Sequence, residues 1–335
     1  MQGIACGGNW IIDQVKIIDK WPPKCELAGI LDEDSGTGGG PANVLTSLKK
    51  LGFSHPTFAI GCIGQDAFGK QILDHCRKND IGTEFLTVLP DVRTSYTDVM
   101  TIRDTGERTF FHFRGANARF APAHVPVEHL KEAGIRMFYL GYLLLLDALD
   151  QPNPDCGTVA AALLQSIQKA GIETCLDVVS EASERFQQIV VPSLHYVDHC
   201  IINEIEASRT TGIEIRKKDE SLDEGALRNA AQRLLELGVK KTAVIHFPEG
   251  SLWRDNTGAE VYQGCLKVPK QSIVSSVGAG DAFCAGVLYG IHEGWPPEEA
   301  LKIGSGAAAT CLQAANTTDG VRSLEEVRGL CVEWS

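Results

Sequence analysis

The first candidate for chemistry is a run of small residues that ends in a carboxylate, Ser275–Asp281 (SSVGAGD). It leads into a helical pattern over Ala282–Glu293, so the N–H groups of Ala279, Gly280 and Asp281 are expected at a helix N-terminus. Backbone dipoles favour an anion there. The alternative is that Asp281 only caps the helix, and for this feature alone capping is the simpler interpretation.

A second glycine-rich stretch, Gly36–Asn43 (GTGGGPAN), precedes a predicted helix over Val44–Leu51. Its three adjacent glycines would let a ligand approach backbone N–H groups closely. A flexible loop is the alternative interpretation. The pattern therefore indicates a ligand site without identifying the ligand.

Two other glycine patterns resemble nucleotide-binding motifs less well. Gly64–Lys70 (GQDAFGK) has Walker A spacing, but Gln71 lacks the hydroxyl that a P-loop places on magnesium. Gly304–Ala309 (GSGAAA) follows a helical stretch, whereas a dinucleotide fingerprint follows a strand. We interpret this last pattern as close packing between helices.

The second half of the chain alternates strand and helix patterns, which predicts a mostly parallel sheet covered on both faces. The predicted strands are Arg136–Leu144, Glu173–Val179, His199–Ile202 and Lys241–Phe247, and the predicted helices are Gly157–Ala170, Glu184–Leu194, Gly225–Leu237, Ala282–Glu293 and Pro297–Leu312. The fold class is thus α/β.

The first half is less regular. Gly3–Asp13 is predicted as a strand, with alternation continuing to Ile18. Tyr96–Ile102 and Arg108–Phe113 form a candidate hairpin, because a polar, glycine-containing turn joins them. We interpret these extra strands as a small sheet that projects from the main one.

Composition excludes several classes of function. The 335 residues carry a formal net charge of -12 and no long Lys/Arg run, so nucleic acid and anionic membrane surfaces are not expected partners. The eleven cysteines show no C-x-x-C spacing, which argues against a disulfide framework or a zinc ribbon. No signal peptide or membrane span is found, and a cytoplasmic location is expected.

Four blocks, in order along the chain, together resemble the PfkB family of ribokinase-like carbohydrate kinases. The blocks are Gly38/Gly39 with Asn43 and Leu51-Gly52, Gly64 with Asp66 and Gly69, Asn203 with Glu206, and Val277–Asp281. The resemblance covers about residues 3–325. It also accounts for the incomplete Walker A pattern, in which Gln71 replaces the hydroxyl residue.

The resemblance implies ATP-dependent transfer of a phosphoryl group to a hydroxymethyl group. Asp281 would be the general base, and Gly278, Ala279 and Gly280 would form an anion hole for the transferring phosphoryl. Asn203 and Glu206 would hold the Mg²⁺-bound phosphates, partly through water. The alternative for Asn203 is a helix cap followed by an acidic first turn.

On the acceptor side, the resemblance implies that Asp13, Gly39 and Asn43 bind the sugar. Gly40 adjoins this block, at a position where ribokinases have a lysine, which weakens ribose as the acceptor. Arg114 follows the predicted hairpin and would meet a substrate oxygen or a phosphate, or else be a surface charge.

Two departures from the family pattern concern the nucleotide and a monovalent cation. Ser275-Ser276 replaces the Asp-Thr pair that shapes a cation site in some members, so potassium activation is not predicted. The nucleotide block Thr-x-Gly-x-x-Gly appears as Ile245–Gly250, which leaves His246 and Gly250 as its candidate residues. Phe247 would either pack against adenine or block it.

These expectations combine into one hypothesis, a cytoplasmic ATP- and Mg²⁺-dependent sugar kinase with a three-layer α/β/α ribokinase-like fold. The domain would span 1–335, with lid strands from about 14–36 and 95–114. Exposed lid edges suggest a homodimer through those strands. The alternatives are a nucleoside kinase on the same scaffold and a non-catalytic sugar- or nucleotide-binding relative, which the altered 245–249 stretch favours.

Overall fold

A nine-stranded sheet organises the chain in the computed structural model, which describes residues 2–181 and 183–334. The first and last residues of the predicted 1–335 domain lie outside these ranges. Helices cover both faces of the sheet, and a separate four-stranded sheet flanks it.

Fifteen strands and ten α-helices lie within the described ranges. The strands are β1 Gly3–Gly8, β2 Ile11–Ile18, β3 Ile30–Gly38, β4 Thr57–Gly64, β5 Gly82–Leu89, β6 Tyr96–Ile102, β7 Arg108–Phe113, β8 Ile135–Leu143, β9 Pro152–Asn153, β10 Gly157–Thr158, β11 Glu173–Val178, β12 His199–Asn203, β13 Thr242–Phe247, β14 Gly250–Asp255 and β15 Glu260–Gly264. The α-helices are α1 Gly40–Lys50, α2 Ala67–Lys78, α3 Val127–Glu132, α4 Val159–Lys169, α5 Phe186–Leu194, α6 Glu204–Thr211, α7 Glu224–Glu236, α8 Ala279–Glu293, α9 Pro297–Cys311 and α10 Leu324–Glu333.

The strand order in the large sheet is β15-β14-β13-β12-β11-β8-β1-β4-β5. Neighbours from β13 to β5 pair in parallel, and β14 and β15 add an antiparallel edge. The mostly parallel sheet predicted from the sequence is confirmed. Strands β14 and β15 were not predicted.

Alternate side chains of the parallel strands enter two separate cores, which explains the buried, apolar character of both strand faces. Cys175 and Ile201 pack with apolar residues of α1, α2, α8 and α9. Their neighbours Leu176 and Ile202 point the other way, towards residues of α4, α5, α6 and α7. The three-layer α/β/α arrangement is therefore confirmed.

The small sheet has the order β3-β2-β6-β7. Its β6–β7 hairpin has the predicted bounds. The expectation of one strand over Gly3–Asp13 was wrong, because the chain leaves the large sheet at Gly8, which has a φ of 129°. The next strand, β2, starts at Ile11 and belongs to the small sheet.

The pattern around Gly64 serves the connection between β4 and α2. Asp66 caps α2 by accepting a hydrogen bond from the Gly69 N–H at 2.8 Å, and it accepts another from the Thr94 hydroxyl at 2.6 Å. A Cβ on Gly69 would lie 2.1 Å from the Gly64 carbonyl oxygen. Capping and close packing thus explain these residues without a phosphate.

None of the helices within the described ranges has the length and hydrophobicity needed to cross a bilayer. The eleven cysteines all carry free thiols.

Helices α8 and α9 approach each other at two glycines. A Cβ on Gly286 would lie 2.7 Å from the Gly304 Cα, and a Cβ on Gly304 would lie 2.8 Å from a Val287 methyl carbon. The close helix packing predicted for Gly304–Ala309 is confirmed. This contact fixes α8, the helix that begins beside Asp281.

Substitution Gly286→Ala should reduce the free energy of unfolding by about 1–3 kcal/mol, because the added methyl group forces two backbones apart. Urea denaturation measures the change. Gly329→Ala is the matched control, since Gly329 is an exposed helical position in α10 with open space around it. That control should be neutral or stabilising by up to about 1 kcal/mol. Equal effects of the two substitutions would contradict the close contact.

Candidate active site

The polar residues singled out in the sequence gather along one edge of the large sheet. Asn203 ends β12 and leads directly into α6, and Asp177 lies near the end of β11. The N-termini of α1 and α8 meet them there through Asn43 and Asp281, whose side chains are hydrogen-bonded. Ligands of open α/β sheets bind at the carboxyl ends of the strands.

Asp281 lies in the first turn of α8 and is 6% exposed. It does not cap this helix: the N-cap residue is Gly278, and no side-chain capping hydrogen bond is present. Instead, its Oδ2 atom accepts hydrogen bonds from Asn43 Nδ2 at 2.8 Å and from the Tyr142 hydroxyl at 3.0 Å. Both donors contact the same oxygen, so within the described chain Oδ1 has no hydrogen-bond partner.

Burial raises the pKa of Asp281 to about 6, although its bonds to Asn43 and Tyr142 favour the ionised form. At neutral pH the group is therefore mostly a carboxylate, but a more basic one than an exposed aspartate. Such a pKa suits a group that takes a proton near pH 7.

Asp177, Tyr139 and Tyr142 were missed in the sequence analysis. The Tyr139 hydroxyl donates to Asp177 Oδ2 at 2.9 Å. Burial raises the pKa of Asp177 well above its usual value, and the charges of Glu206 and Asp281 raise it further. One signal could have found Asp177: it is a carboxylate at the end of a predicted strand, on the edge that Asn203 also marks.

Asn203 and Glu206 form a reciprocal capping box at the start of α6. Asn203 Oδ1 accepts from the Glu206 N–H at 3.0 Å, and Glu206 Oε2 accepts from the Asn203 N–H at 3.0 Å. The hydroxyl of Ser180 donates to Glu206 Oε1 at 2.9 Å. Burial raises the pKa of Glu206 to about 7. The capping alternative is thus present in the structure, and it leaves Glu206 as a buried acid beside Asp177.

Asp13 was expected at the end of the first strand, but it lies in β2 of the small sheet. Burial raises its pKa to about 7, with a further contribution from the charge of Asp281. Its carboxylate has no hydrogen-bond partner among the residues that the structure describes. A Cβ on Gly38 would lie 2.0 Å from Asp13 Oδ2, so a side chain at this position would displace the carboxylate.

The glycines before Asn43 have different surroundings. Gly39 has a φ of 92°, and a Cβ there would lie 1.9 Å from the Asn9 carbonyl oxygen. A Cβ on Gly40 would contact the Tyr139 hydroxyl at 2.9 Å and the Tyr142 ring at 3.0 Å. These glycines allow α1 to begin against the two tyrosines.

Asn43 itself is 2% exposed and leaves one hydrogen-bonding atom unused. Its Nδ2 atom donates to Asp281, whereas its buried Oδ1 atom has no partner among the described residues. A buried amide oxygen without a donor is costly. A hydroxyl group of a bound ligand would satisfy it.

The turn before α8 brings backbone N–H groups to the same edge. Gly278 has a φ of 81°, and a Cβ there would lie 2.3 Å from the Thr317 carbonyl oxygen. Ser275 supports the turn, since its hydroxyl accepts from the Val277 N–H at 3.2 Å and from Arg108 of β7 at 3.1 Å. The hairpin of the small sheet therefore contacts the segment that leads to Gly278, Ala279 and Gly280.

His246 and Gly250, the candidate nucleotide residues of the 245–250 block, have different surroundings. The His246 ring lies below the first turn of α8, where its Cε1 atom would be 3.2 Å from a Cβ on Gly280. Burial lowers the pKa of His246 to about 4, so the ring is neutral at pH 7. Gly250 instead has a packing role, because a Cβ there would lie 2.3 Å from the Gln263 carbonyl oxygen in β15. Phe247 is 7% exposed and packs in the core on the α4–α7 face.

Arg114 is not among the residues that contact Asp281. Its guanidinium donates to the Leu144 carbonyl oxygen and to Asp147 Oδ1, both at 3.0 Å, and lies 3.8 Å from Glu181. One third of its side chain is exposed.

A surface cavity of about 530 Å³ lies elsewhere, between β3 and α2. Its lining includes Ser35, Thr37, Lys70, Gln71 and His75. It contains neither Asp281 nor a side chain that touches Asp281, so the buried acids and unpaired polar atoms, and not this cavity, define the candidate site.

The chain is similar to known proteins over most of its length. Residues 3–324 match the pfkB family carbohydrate kinase. The chain is 25% identical to a ribokinase of Arabidopsis thaliana, over 88% of this chain and 72% of that protein. It is 23% identical to a 5-dehydro-2-deoxygluconokinase of Geobacillus thermodenitrificans, over 87% and 82%. The structure of the Arabidopsis thaliana ribokinase complexed with ribose and ATP superposes with a TM-score of 0.77 at 22% identity, covering 98% of both chains.

Substitution Asp281→Asn should stabilise the ligand-free protein at pH 8 by up to about 3 kcal/mol, because each unit of pKa shift is worth about 1.4 kcal/mol. A raised pKa means that the folded state gains stability from protonation of Asp281, and this gain is lost as the pH rises from about 4 through about 6. The difference in the free energy of unfolding between the variant and the wild type should therefore be smaller at pH 5 than at pH 8.

Denaturant unfolding at pH 8 and pH 5 measures this difference, with Asp155→Asn at an exposed turn as the control. A variant that is less stable than the wild type at pH 8 would contradict the assignment of Asp281 as a strained, buried carboxylate.

Proposed function

Since the chain belongs to the pfkB family of carbohydrate kinases and is a phosphotransferase that acts on an alcohol group, we propose that it transfers the γ-phosphoryl group of ATP to a hydroxymethyl group of a small carbohydrate. The observation that carries this proposal is the environment of Asp281. It is a buried carboxylate with a pKa of about 6, and the oxygen that faces away from Asn43 and Tyr142 is unpaired.

Asp281 acts as the general base in this proposal. The acceptor hydroxyl donates its proton to Oδ1, while the hydrogen bonds from Asn43 and Tyr142 hold Oδ2 in place. The oxygen of the acceptor then attacks the γ-phosphorus, and the bond from that phosphorus to the bridging oxygen of ADP breaks. General-base catalysis of this kind contributes about 10²–10⁴-fold to the rate.

Gly278, Ala279 and Gly280 form the anion hole. Supporting this, the N–H groups in the first turn of a helix carry the positive end of the helix dipole. Among the described residues, the N–H groups of Gly278 and Gly280 have no hydrogen-bond acceptor, whereas the Ala279 N–H donates to the Ser276 carbonyl oxygen at 3.3 Å. The His246 ring next to Gly280 is neutral and adds no charge to this site. We place the nucleotide on this side, beside Asn203, His246 and Gly250.

The acid groups at the strand ends suit Mg²⁺, which prefers carboxylate and amide oxygens and keeps several waters. Glu206 and Asn203 would hold the ion through water, because their side-chain oxygens already accept hydrogen bonds within the capping box. When bound, Mg²⁺ neutralises charge on the phosphates. No monovalent cation enters the proposal.

Asp13, Gly39, Gly40, Asn43 and Arg114 form the acceptor side of the proposal. The unpaired oxygens of Asp13 and Asn43 would accept hydrogen bonds from sugar hydroxyls. Gly39 and Gly40 let α1 begin against the Asn9 carbonyl oxygen and the two tyrosines, which brings Asn43 to the acceptor. Arg114 follows the hairpin, where the chain returns to the large sheet. The chain would act as one kinase domain with the small sheet as its lid, in the cytoplasm. Recovery of the native protein in a membrane fraction would contradict that location.

The first experiment measures ADP release from Mg-ATP with a panel of ketoses, aldoses, sugar acids and nucleosides. Turnover with a carbohydrate should fall by about 10²–10⁴-fold in Asp281→Asn, because the base is lost. Asp155→Asn, at an exposed turn between β9 and β10, should keep the wild-type rate. Preference for a nucleoside would replace the sugar with that acceptor, and binding of ATP without any turnover would favour the non-catalytic alternative.

We also propose that the small sheet forms a homodimer interface. Its edge strands β3 and β7 are open, and Trp21 stacks on Phe111 at a centroid distance of 6.1 Å although these side chains are 47% and 50% exposed. Open edges and exposed aromatic groups are features that proteins cover.

Sedimentation at micromolar concentration should therefore give a dimer for the wild type and a monomer for Phe111→Asp. Val332→Asp, at an exposed position of α10, should remain dimeric. A monomeric wild-type protein would overturn the dimer and leave the kinase proposal unaffected.

A further inference from the structure

A cluster of three potential metal ligands lies at the other edge of the large sheet. His292 and Glu293 are the last two residues of α8, and His55 precedes β4. One donor atom from each of these side chains lies within 4.8 Å of the other two. Asp281 lies on the same helix eleven residues earlier, about 17 Å away at 1.5 Å per residue. The cluster is therefore separate from the candidate active site.

The hydrogen bonds of His292 leave one nitrogen in an unusual position. Its Nε2 atom lies 2.7 Å from the Gln2 carbonyl oxygen, which can only accept, so Nε2 carries the hydrogen. Its Nδ1 atom lies 2.8 Å from Glu293 Oε1, another acceptor. A neutral ring would direct a lone pair at a carboxylate. A cation must lie between these two atoms, either a second proton or a metal ion.

His292 is buried, with 3% of its surface exposed. Arg136 of β8 donates a hydrogen bond to the His292 carbonyl oxygen. His55 places its Nε2 atom 3.5 Å from Glu293 Oε1, the same oxygen that His292 Nδ1 approaches. Two imidazole nitrogens therefore meet at one carboxylate oxygen.

Two of the three separations between these atoms are close to those of tetrahedral coordination, and the third, between the two imidazole nitrogens, is at most 4.8 Å. Ligands about 2.0–2.1 Å from a zinc ion lie roughly 3.3 Å from each other. The measured distances from Glu293 Oε1 to the two imidazole nitrogens, 2.8 and 3.5 Å, lie on either side of that value. The bond from Nε2 to the Gln2 carbonyl oxygen is the arrangement that usually orients a metal-binding histidine. Phe53 packs edge-on against both rings, at 4.8 Å from His292 and 5.3 Å from His55.

We propose that His55, His292 and Glu293 bind a divalent transition-metal ion of the Zn²⁺ class, with water as the fourth ligand. Imidazole nitrogen selects such ions over Mg²⁺, which prefers oxygen. The ion joins the connection between α1 and β4 to the end of α8. The segment before β1 is held indirectly, because the Gln2 carbonyl oxygen accepts a hydrogen bond from His292. Its role is structural, because the site lies at the opposite end of α8 from Asp281.

The test uses the untagged full chain after removal of metal by a chelator. Calorimetry with Zn²⁺ should show one site per chain, and Zn²⁺ but not Mg²⁺ should raise the melting temperature. His55→Ala and Glu293→Gln should each weaken this binding by roughly tenfold or more. His129→Ala, at an exposed position of α3, is the matched control and should bind as the wild type does.

Cobalt(II) provides a second measurement that does not depend on melting. The wild type should show the visible absorption of a tetrahedral site without a thiolate charge-transfer band, which separates this site from the protein's free cysteines. Equal Zn²⁺ affinity in the wild type, His55→Ala and Glu293→Gln would overturn the proposal. Absence of a stoichiometric site would do so too, and would leave a shared proton between His292 and Glu293. Neither result depends on kinase activity.

Discussion

The structure depends on holding several carboxyl groups out of water at one edge of its sheet. Asp13, Asp177, Glu206 and Asp281 all have pKa values raised by burial, and like charges raise those of Asp13 and Asp177 further. Ionised carboxylates in such surroundings reduce the stability of the folded state. The surrounding donors partly offset this, namely Asn43, Tyr139, Tyr142 and Ser180. A bound ligand that supplies cations and hydroxyl groups would reduce this cost and stabilise the folded state.

Local patterns in the sequence were sufficient for most elements and for the helix N-termini of the site. The β6–β7 hairpin has the predicted bounds because its alternation and its turn are both encoded locally, and Asp281 was found from the small residues around it. Asp177 and Tyr142 were missed because each lies near the end of a mostly apolar strand, outside any glycine-rich pattern. Their importance arises from a neighbour that is 104 and 139 positions away from them, Asp281 in both cases. The strands β14 and β15 were missed because they pair antiparallel beyond the last βα unit.

Asn203 and Glu206 show why a motif and its structural alternative need not exclude each other. The reciprocal cap satisfies two N–H groups of α6 and so fixes the Glu206 carboxylate in a buried position. That position lies near Asp177, whose pKa the charge of Glu206 raises. A capping box that is buried beside other acids stabilises the fold less than an exposed one would, and this cost fits the metal-binding role that we propose for Glu206.

Helix α8 connects these observations, because polar groups at both of its ends are held by other elements of the chain. Asp281 lies in its first turn and accepts hydrogen bonds from Asn43 and Tyr142, and His292 lies in its last turn and donates to the Gln2 carbonyl oxygen. Between them, Gly286 holds the helix against α9 at a distance that no larger residue allows. The position of the proposed base is therefore fixed along the helix by contacts at both of its ends and at its middle. Such fixation is what phosphoryl transfer requires of a protein, because positioning and electrostatic stabilisation provide most of its catalysis.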